Sequence, residues 1–403
     1  MSFISRRLSH IKPSPTLAIT AQAALLKAQG KDIISLGAGE PDFDTPSFIK
    51  DAAVKAIAAG KTKYTAIEGI LPLRKAIAKK FKEDNGIQYT PEQIIVGAGA
   101  KQIIFNAFLA SLDPGDEVII PAPYWVSYPD MVEIAEGTPI LIPCPQSEHF
   151  KLSPKALEQA MTLKTKWLIL NSPSNPTGVV YSARELEDLA CVLRKHPQVN
   201  VLSDDIYEYI VYDDTSFATL AQVVPDLKDR ILTVNGVSKS YSMTGWRIGY
   251  GAGGSLDLIK AMKTLQSQST TNACSISQDA ALAALEGDQS FREEWIKIFK
   301  ERRDQALDIF NNTPGLSCLT PQGAFYLYVE CSKVMGKITP SGMVLSNDTD
   351  LAAYLLEVAG VAVVPGAAFG LSPYFRISYA TETDLLIKAC RRIAESLQEL
   401  IAS

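Results

Sequence analysis

Short apolar or β-branched runs alternate along the chain with longer segments whose apolar residues recur three and four apart, a pattern that predicts an α/β fold. Strands are expected at 93–99, 116–121, 166–171, 200–205, 230–236 and 247–253, with amphipathic helices between them, as at 100–112 and 182–196. Most of these strands are apolar on both faces, as a largely parallel sheet covered by helices on each side requires. Residues 48–290 therefore form one large α/β unit in this scheme. A charged amphipathic helix starting at Phe291 carries the chain onward to a smaller, strand-rich part with expected strands at 323–331, 360–366 and 374–380, closed by a helix from Thr381. The first 47 residues are too few for a core of their own. They are expected to pack with 291–403 as the small domain. Neither a repeat nor a Pro/Ser-rich linker separates the two parts, so a cleft between closely coupled lobes is where a small molecule is expected.

Composition narrows the choice. Lys and Arg number 39 against 44 Asp and Glu. That balance lacks the basic field that phosphate-backbone binding demands, so a nucleic-acid partner is disfavoured. The six cysteines form no CxxC pair and the three histidines are scattered, which argues against metal-ligand spacing and for a reducing, cytoplasmic setting. No apolar run has the length of a membrane span, and the N-terminal stretch lacks a signal-peptide core, so a soluble, unprocessed protein is expected.

The glycine-rich turn Gly97-Ala98-Gly99-Ala100-Lys101 follows an expected strand and opens a helix. Free N–H groups and the positive helix end suit a phosphate there, and a plain strand-to-helix turn fits the same residues. Residues 249–254 formally match GxGxxG. They lie mid-chain, however, and no Asp or Glu occurs from Leu258 to Gln278, where a ribose-binding acid would be needed. The most informative stretch is 234–250, where Lys239 follows an expected strand and Arg247 lies eight residues on, among small, hydroxyl and apolar residues. A solvated surface lysine is one possibility. A lysine held in such company beside a fixed cation has its ammonium form disfavoured and becomes a nucleophilic amine able to form an imine.

Other residues just beyond C-terminal strand ends complete a pyridoxal phosphate site on this second view. Asp204 would hold a pyridinium nitrogen protonated, Tyr207 and Asn175 would reach the phenolic oxygen, and Trp125 would offer a flat face for stacking. Singly, each also fits a cap, a core aromatic or a turn.

At this point the chain resembles the class I aminotransferases, which are fold-type I pyridoxal phosphate enzymes, and within them the bacterial aspartate aminotransferases of the gamma subgroup. The resemblance rests on 35–46 (SLGAGEPDFDTP), 60–65 (GKTKYT), 123–132 (PYWVSYPDMV), 171–178 (NSPSNPTG), 203–208 (SDDIYE), 238–250 (SKSYSMTGWRIGY) and 375–380 (FRISYA), and it covers nearly the whole chain. It implies an α/β fold with a large, mainly parallel sheet and a smaller α+β domain. It implies that Lys239 is the imine-forming lysine, that Asp204 partners the pyridine nitrogen, and that Tyr207 and Asn175 serve the phenolic oxygen. Ala100, Lys101 and Arg247 would anchor the phosphate. Tyr64 would reach the phosphate in a neighbouring subunit, which implies a homodimer with shared sites. Arg376 would grip the substrate α-carboxylate, with Gly39, Trp125 and Asn175 beside it. Lys101, Thr16 and Lys12 would receive a distal carboxylate. Asp205 stands where the pattern has glutamate, and the part of Ser238 is open.

The implied activity is ping-pong transfer of the amino group of L-aspartate to 2-oxoglutarate, giving oxaloacetate and L-glutamate, with prephenate as a further substrate. The partners are then small amino and 2-oxo acids, with no nucleic acid and no membrane. An aminotransferase of aromatic or broad specificity, a carbon-sulfur lyase on the same fold, and a ligand sensor built on such a domain are the alternatives, since fold does not fix reaction. Release of pyruvate and ammonia without an oxo-acid acceptor would mark the lyase.

Overall fold

The structure is a computed structural model that describes residues 3–8, 11, 13 and 15–401. Its main sheet has seven strands in the spatial order Ile94–Gly97, Gly249–Gly253, Ile231–Gly236, Asn200–Asp204, Thr165–Asn171, Glu117–Ala122 and Thr138–Pro143. Only Gly249–Gly253 runs antiparallel to the rest. The central strands are buried throughout, which is why they read as continuous apolar runs. Helices cover both faces and bury two apolar clusters against them. One of these helices, Ala183–Lys195, is set at its start by Ser182, whose side chain caps Glu185 N–H while Glu185 returns a bond to Ser182 N–H.

A three-stranded antiparallel sheet of Val364–Pro365, Tyr374–Ser378 and Tyr326–Glu330 packs with the helices Phe291–Asn311 and Thr383–Gln398 around a third cluster. Ile34–Ser35 pairs in parallel with Val361–Ala362. Residues 42–45 are tied on two sides. Asp42 accepts two hydrogen bonds from Arg302 of the long helix, both at 2.8 Å, and Thr45 donates to the Ser242 carbonyl at 2.6 Å. Among the described residues, no helix is long and apolar enough to cross a membrane.

Three elements differ from the pattern-based expectation, each for a local reason. Thr138–Pro143 was not anticipated as a strand. Its prolines at 139 and 143 weaken the strand signal, and it lies at the edge, where a missing N–H is tolerated. The run expected at 360–366 divides, with Val361–Ala362 and Val364–Pro365 serving different sheets. The strand expected at 247–253 begins only at Gly249, because Arg247 takes a left-handed backbone with φ 56°.

Candidate active site

The parallel strands all end on one edge of the main sheet, and beyond that edge lies a cavity of about 490 Å³. Open α/β sheets bind ligands at this edge because the loops there come from several strands. Thr16, Gly39, Ala100, Lys101, Trp125, Asn175, Asp204, Tyr207, Lys239, Arg247 and Arg376 all line it, and so does Ser238. Tyr64 does not. It is 88% exposed. Lys12 lies outside the described residues.

Lys239 comes three residues after the strand Ile231–Gly236, and its Nζ donates to the Gly39 carbonyl at 2.5 Å. Burial pushes its pKa down to about 8; Glu40 and Asp204 oppose that shift, and Arg247 and Arg376 reinforce it. Asp204 is the last residue of its strand and is buried. Its Oδ2 accepts from the Tyr128 hydroxyl at 2.6 Å and its Oδ1 from Ile206 N–H at 3.3 Å. Burial outweighs these bonds and raises its pKa to about 6.

At one end of the cavity the helix Ala100–Leu109 presents its N-terminus, with Gly99 before it at φ 87°. The Arg247 guanidinium lies against Gly99 so closely that a Cβ there would overlap it. Arg247 itself is steadied by the Thr244 carbonyl at 2.8 Å and reaches that of Ala98 at 3.4 Å. Free N–H groups, a positive helix end and a guanidinium together form an anion cradle. Gly249 belongs to the same construction, because a Cβ on it would collide with the backbone of Gly99 and Ala100. This close approach accounts for part of the glycine run at 249–254. Gly249→Ala is expected to destabilise the fold by about 1–3 kcal/mol, the range for overpacking. Urea unfolding midpoints would measure this, and an unchanged midpoint would show that the strand and helix separate freely.

Arg376, in the middle of the strand Tyr374–Ser378, is 2% exposed. It donates to Asn175 Oδ1 at 2.8 Å and to the Gly37 carbonyl at 2.5 Å. The aromatic faces of Tyr326 and Phe369 sit 4.5 and 4.9 Å from its Cζ. Its Nε has no hydrogen-bond partner among the described residues. A buried guanidinium resting on neutral acceptors with one donor unused is suited to a carboxylate. Lys101 is a further cation on the same cavity, besides Arg247 and Arg376. Its Nζ donates to Ser127 Oγ at 3.1 Å and lies 4.8 Å from the Trp125 ring, while burial and then Arg247 lower its pKa.

Comparison with known proteins agrees with this chemistry. The profile of the family "Aminotransferase class I and II" matches residues 31–393. The chain belongs to the class I and II aminotransferases. It is 60% identical over 400 residues to a probable aspartate/prephenate aminotransferase of Rickettsia bellii, covering 99% of this chain and all of that protein. It is similar to the crystal structure of the aspartate aminotransferase of Rhizobium meliloti, with TM-score 0.96 and 55% identity over the full length of both chains. It is also similar to the Thermus thermophilus aspartate aminotransferase with maleate, at TM-score 0.90 and 43% identity, covering 98% of this chain and all of that one.

Several groups in the cavity of this aminotransferase escaped the sequence argument. Tyr128, which holds Asp204, is three residues past Trp125 on the helix Ser127–Ile134, and only that spacing hinted at it. Tyr326 begins the strand Tyr326–Glu330 and lines the cavity under Arg376. Glu40, hydrogen-bonded by Thr244 Oγ1, lines the cavity and is the acid that acts most strongly on Lys239, ahead of Asp204. Nothing in an alternating Tyr-Leu-Tyr run tells which tyrosine meets a ligand.

Proposed function

We propose that this chain transfers the amino group of L-aspartate to 2-oxoglutarate with pyridoxal 5′-phosphate held in the cavity, and that prephenate is a second oxo-acid substrate. The observation that carries this is the meeting, in one cavity, of a lysine whose pKa falls to about 8, a buried carboxylate, an anion cradle and a buried arginine with an unused donor. The names of the relatives support aspartate and prephenate as substrates, and maleate in the Thermus protein is itself a four-carbon dicarboxylate.

When bound, the cofactor supplies an aldehyde for covalent capture of an amine and a ring that withdraws electrons from the adjacent carbon. The residues present fit it. The N–H groups at Ala100 and Lys101, with Arg247, would hold the phosphate, and Asp204, as a carboxylate steadied by Tyr128, would hold the ring nitrogen in its protonated form. Tyr207 and the amide NH₂ of Asn175 would donate to the phenolic oxygen, and Trp125 would stack on the ring. Lys239 would carry the covalent link. Its amine, near pKa 8 and so readily deprotonated and reprotonated at neutral pH, would take and return the proton at the substrate Cα. Arg376 would fork onto the α-carboxylate, beside Gly39, while excluding water by its burial.

Lys101, with Thr16 and Lys12, would receive the distal carboxylate. Removing that cation forfeits a charge-assisted bond, so Lys101→Ser is expected to lower kcat/KM for aspartate by roughly 10–100-fold, in line with 1.5–3 kcal/mol for such a bond. Alanine, which has no distal carboxylate, should change little. Equal losses for both would place the distal group elsewhere and leave Lys101 a phosphate residue. Exposed Tyr64 would reach the phosphate in a second subunit of a homodimer, and six free cysteines support a reducing, cytoplasmic location.

A further inference from the structure

Tyr326 stands where three parts of the site meet. It is 1% exposed. Its hydroxyl is 2.7 Å from that of Tyr207, and its ring lies under the Arg376 guanidinium at 4.5 Å. The hydroxyl also abuts Gly39, where a Cβ would overlap it, so it has little room to turn away. Burial pushes both phenols above the usual tyrosine range, and each therefore has a single proton to give at neutral pH.

We propose that Tyr326 is a positioning residue that donates to the Tyr207 hydroxyl and thereby commits the Tyr207 proton to the cofactor's phenolic oxygen. The inference rests on the cofactor assignment above. If Tyr207 gives its one proton to that oxygen, its own oxygen must accept the bond that joins the two phenols, and Tyr326 is the donor. A donor that itself accepts a hydrogen bond is strengthened, because each bond polarises the next. Without Tyr326, Tyr207 can turn its proton toward other acceptors, and the phenolic oxygen keeps more negative charge. That charge holds the proton on the neighbouring covalent linkage more firmly, so the pH midpoint of the visible chromophore rises. Arg376 needs only the ring of Tyr326 and not its hydroxyl. The two roles can therefore be separated.

The test is a spectrophotometric pH titration of the pyridoxal phosphate-loaded protein, wild type beside Tyr326→Phe, Tyr207→Phe and the double variant. Tyr326→Phe should raise the midpoint by roughly half to one pH unit, the size of one lost hydrogen bond. Its KM for aspartate should stay within about twofold, since the aromatic face under Arg376 remains. Tyr326→Leu, which removes the face as well, should raise KM too. In the Tyr207→Phe background the second substitution should add no further shift, because the bond is already absent. A purely structural part for Tyr326 would lower the melting temperature and leave the midpoint where it was, and that result overturns the proposal, as does a fully additive double variant. A wild type without any chromophore overturns the cofactor assignment and this proposal with it. A chromophore whose midpoint ignores Tyr326 overturns this proposal alone.

Discussion

Lys239→Ala is expected to abolish transamination, with turnover falling by at least about 10⁴-fold, the upper end of what one acid-base group contributes. Two functions leave with this side chain on the proposed assignment, covalent attachment and proton transfer at Cα, and no neighbour can supply both. Arg247 and Arg376 are guanidinium groups, which offer hydrogen-bond donors and no acceptor. Lys101 bonds Ser127 Oγ and, on the same assignment, would be taken up by the distal carboxylate. The loaded variant should also lose the pH-dependent visible absorbance, and borohydride reduction followed by peptide mapping should label Lys239 in the wild type and no other residue. The fold should survive. A lysine with pKa near 8 in the folded chain and 10.5 when free makes the unfolded state bind more protons between those values, so its contribution rises with pH across that window. Below pH 8 the buried ammonium opposes folding. Alanine removes that opposition, and the variant should melt at or above the wild-type temperature at pH 7. Retained turnover, or label on a different lysine, would end the assignment.

The sheet was legible because its strands lie buried on both faces, as at Ile231–Gly236, and so need unbroken apolar runs. The edge strand Thr138–Pro143 was not, since a half-exposed strand with two prolines carries little of that signal. The cavity residues were legible where chemistry demands a rare combination, a lysine among small and apolar residues with an arginine eight positions on. They were hidden where the side chain is common and its use depends on register. Tyr326 and Tyr328 sit on one strand, yet Tyr326 lines the cavity while the Tyr328 hydroxyl bonds the Leu371 carbonyl at 2.5 Å. The two are two positions apart and share a face of the strand, so alternation alone does not separate them. Glu40 was hidden for a similar reason, because its meeting with Thr244 spans 204 residues of sequence.

Asp204→Asn is expected to move stability and activity in opposite directions. The carboxyl pKa is raised from 3.8 to about 6 by burial, so the folded chain binds more protons than the unfolded one between those values. Stability therefore falls as pH climbs through that window, and above pH 6 the ionised carboxylate opposes folding by about 3 kcal/mol, at about 1.4 kcal/mol per pH unit. Asparagine cannot ionise, and with its Oδ1 kept on Ile206 N–H its amide NH₂ can donate to the Tyr128 hydroxyl oxygen. The cofactor-free variant should thus be more stable than wild type above pH 6, with the difference vanishing below about pH 4. Denaturant titrations at several pH values would show it. On the proposed assignment the same carboxylate would face the protonated ring nitrogen of the loaded enzyme, which would compensate its charge. Deleting one partner of a buried charge pair removes about 3–5 kcal/mol, so turnover should drop roughly 10²–10⁴-fold. The rise in melting temperature that pyridoxal phosphate gives the wild type should shrink correspondingly in the variant. If the variant proved less stable at pH 7 yet gained the full cofactor-induced rise, Asp204 would be a structural acid held by Tyr128, and the ring nitrogen would have to find its partner elsewhere.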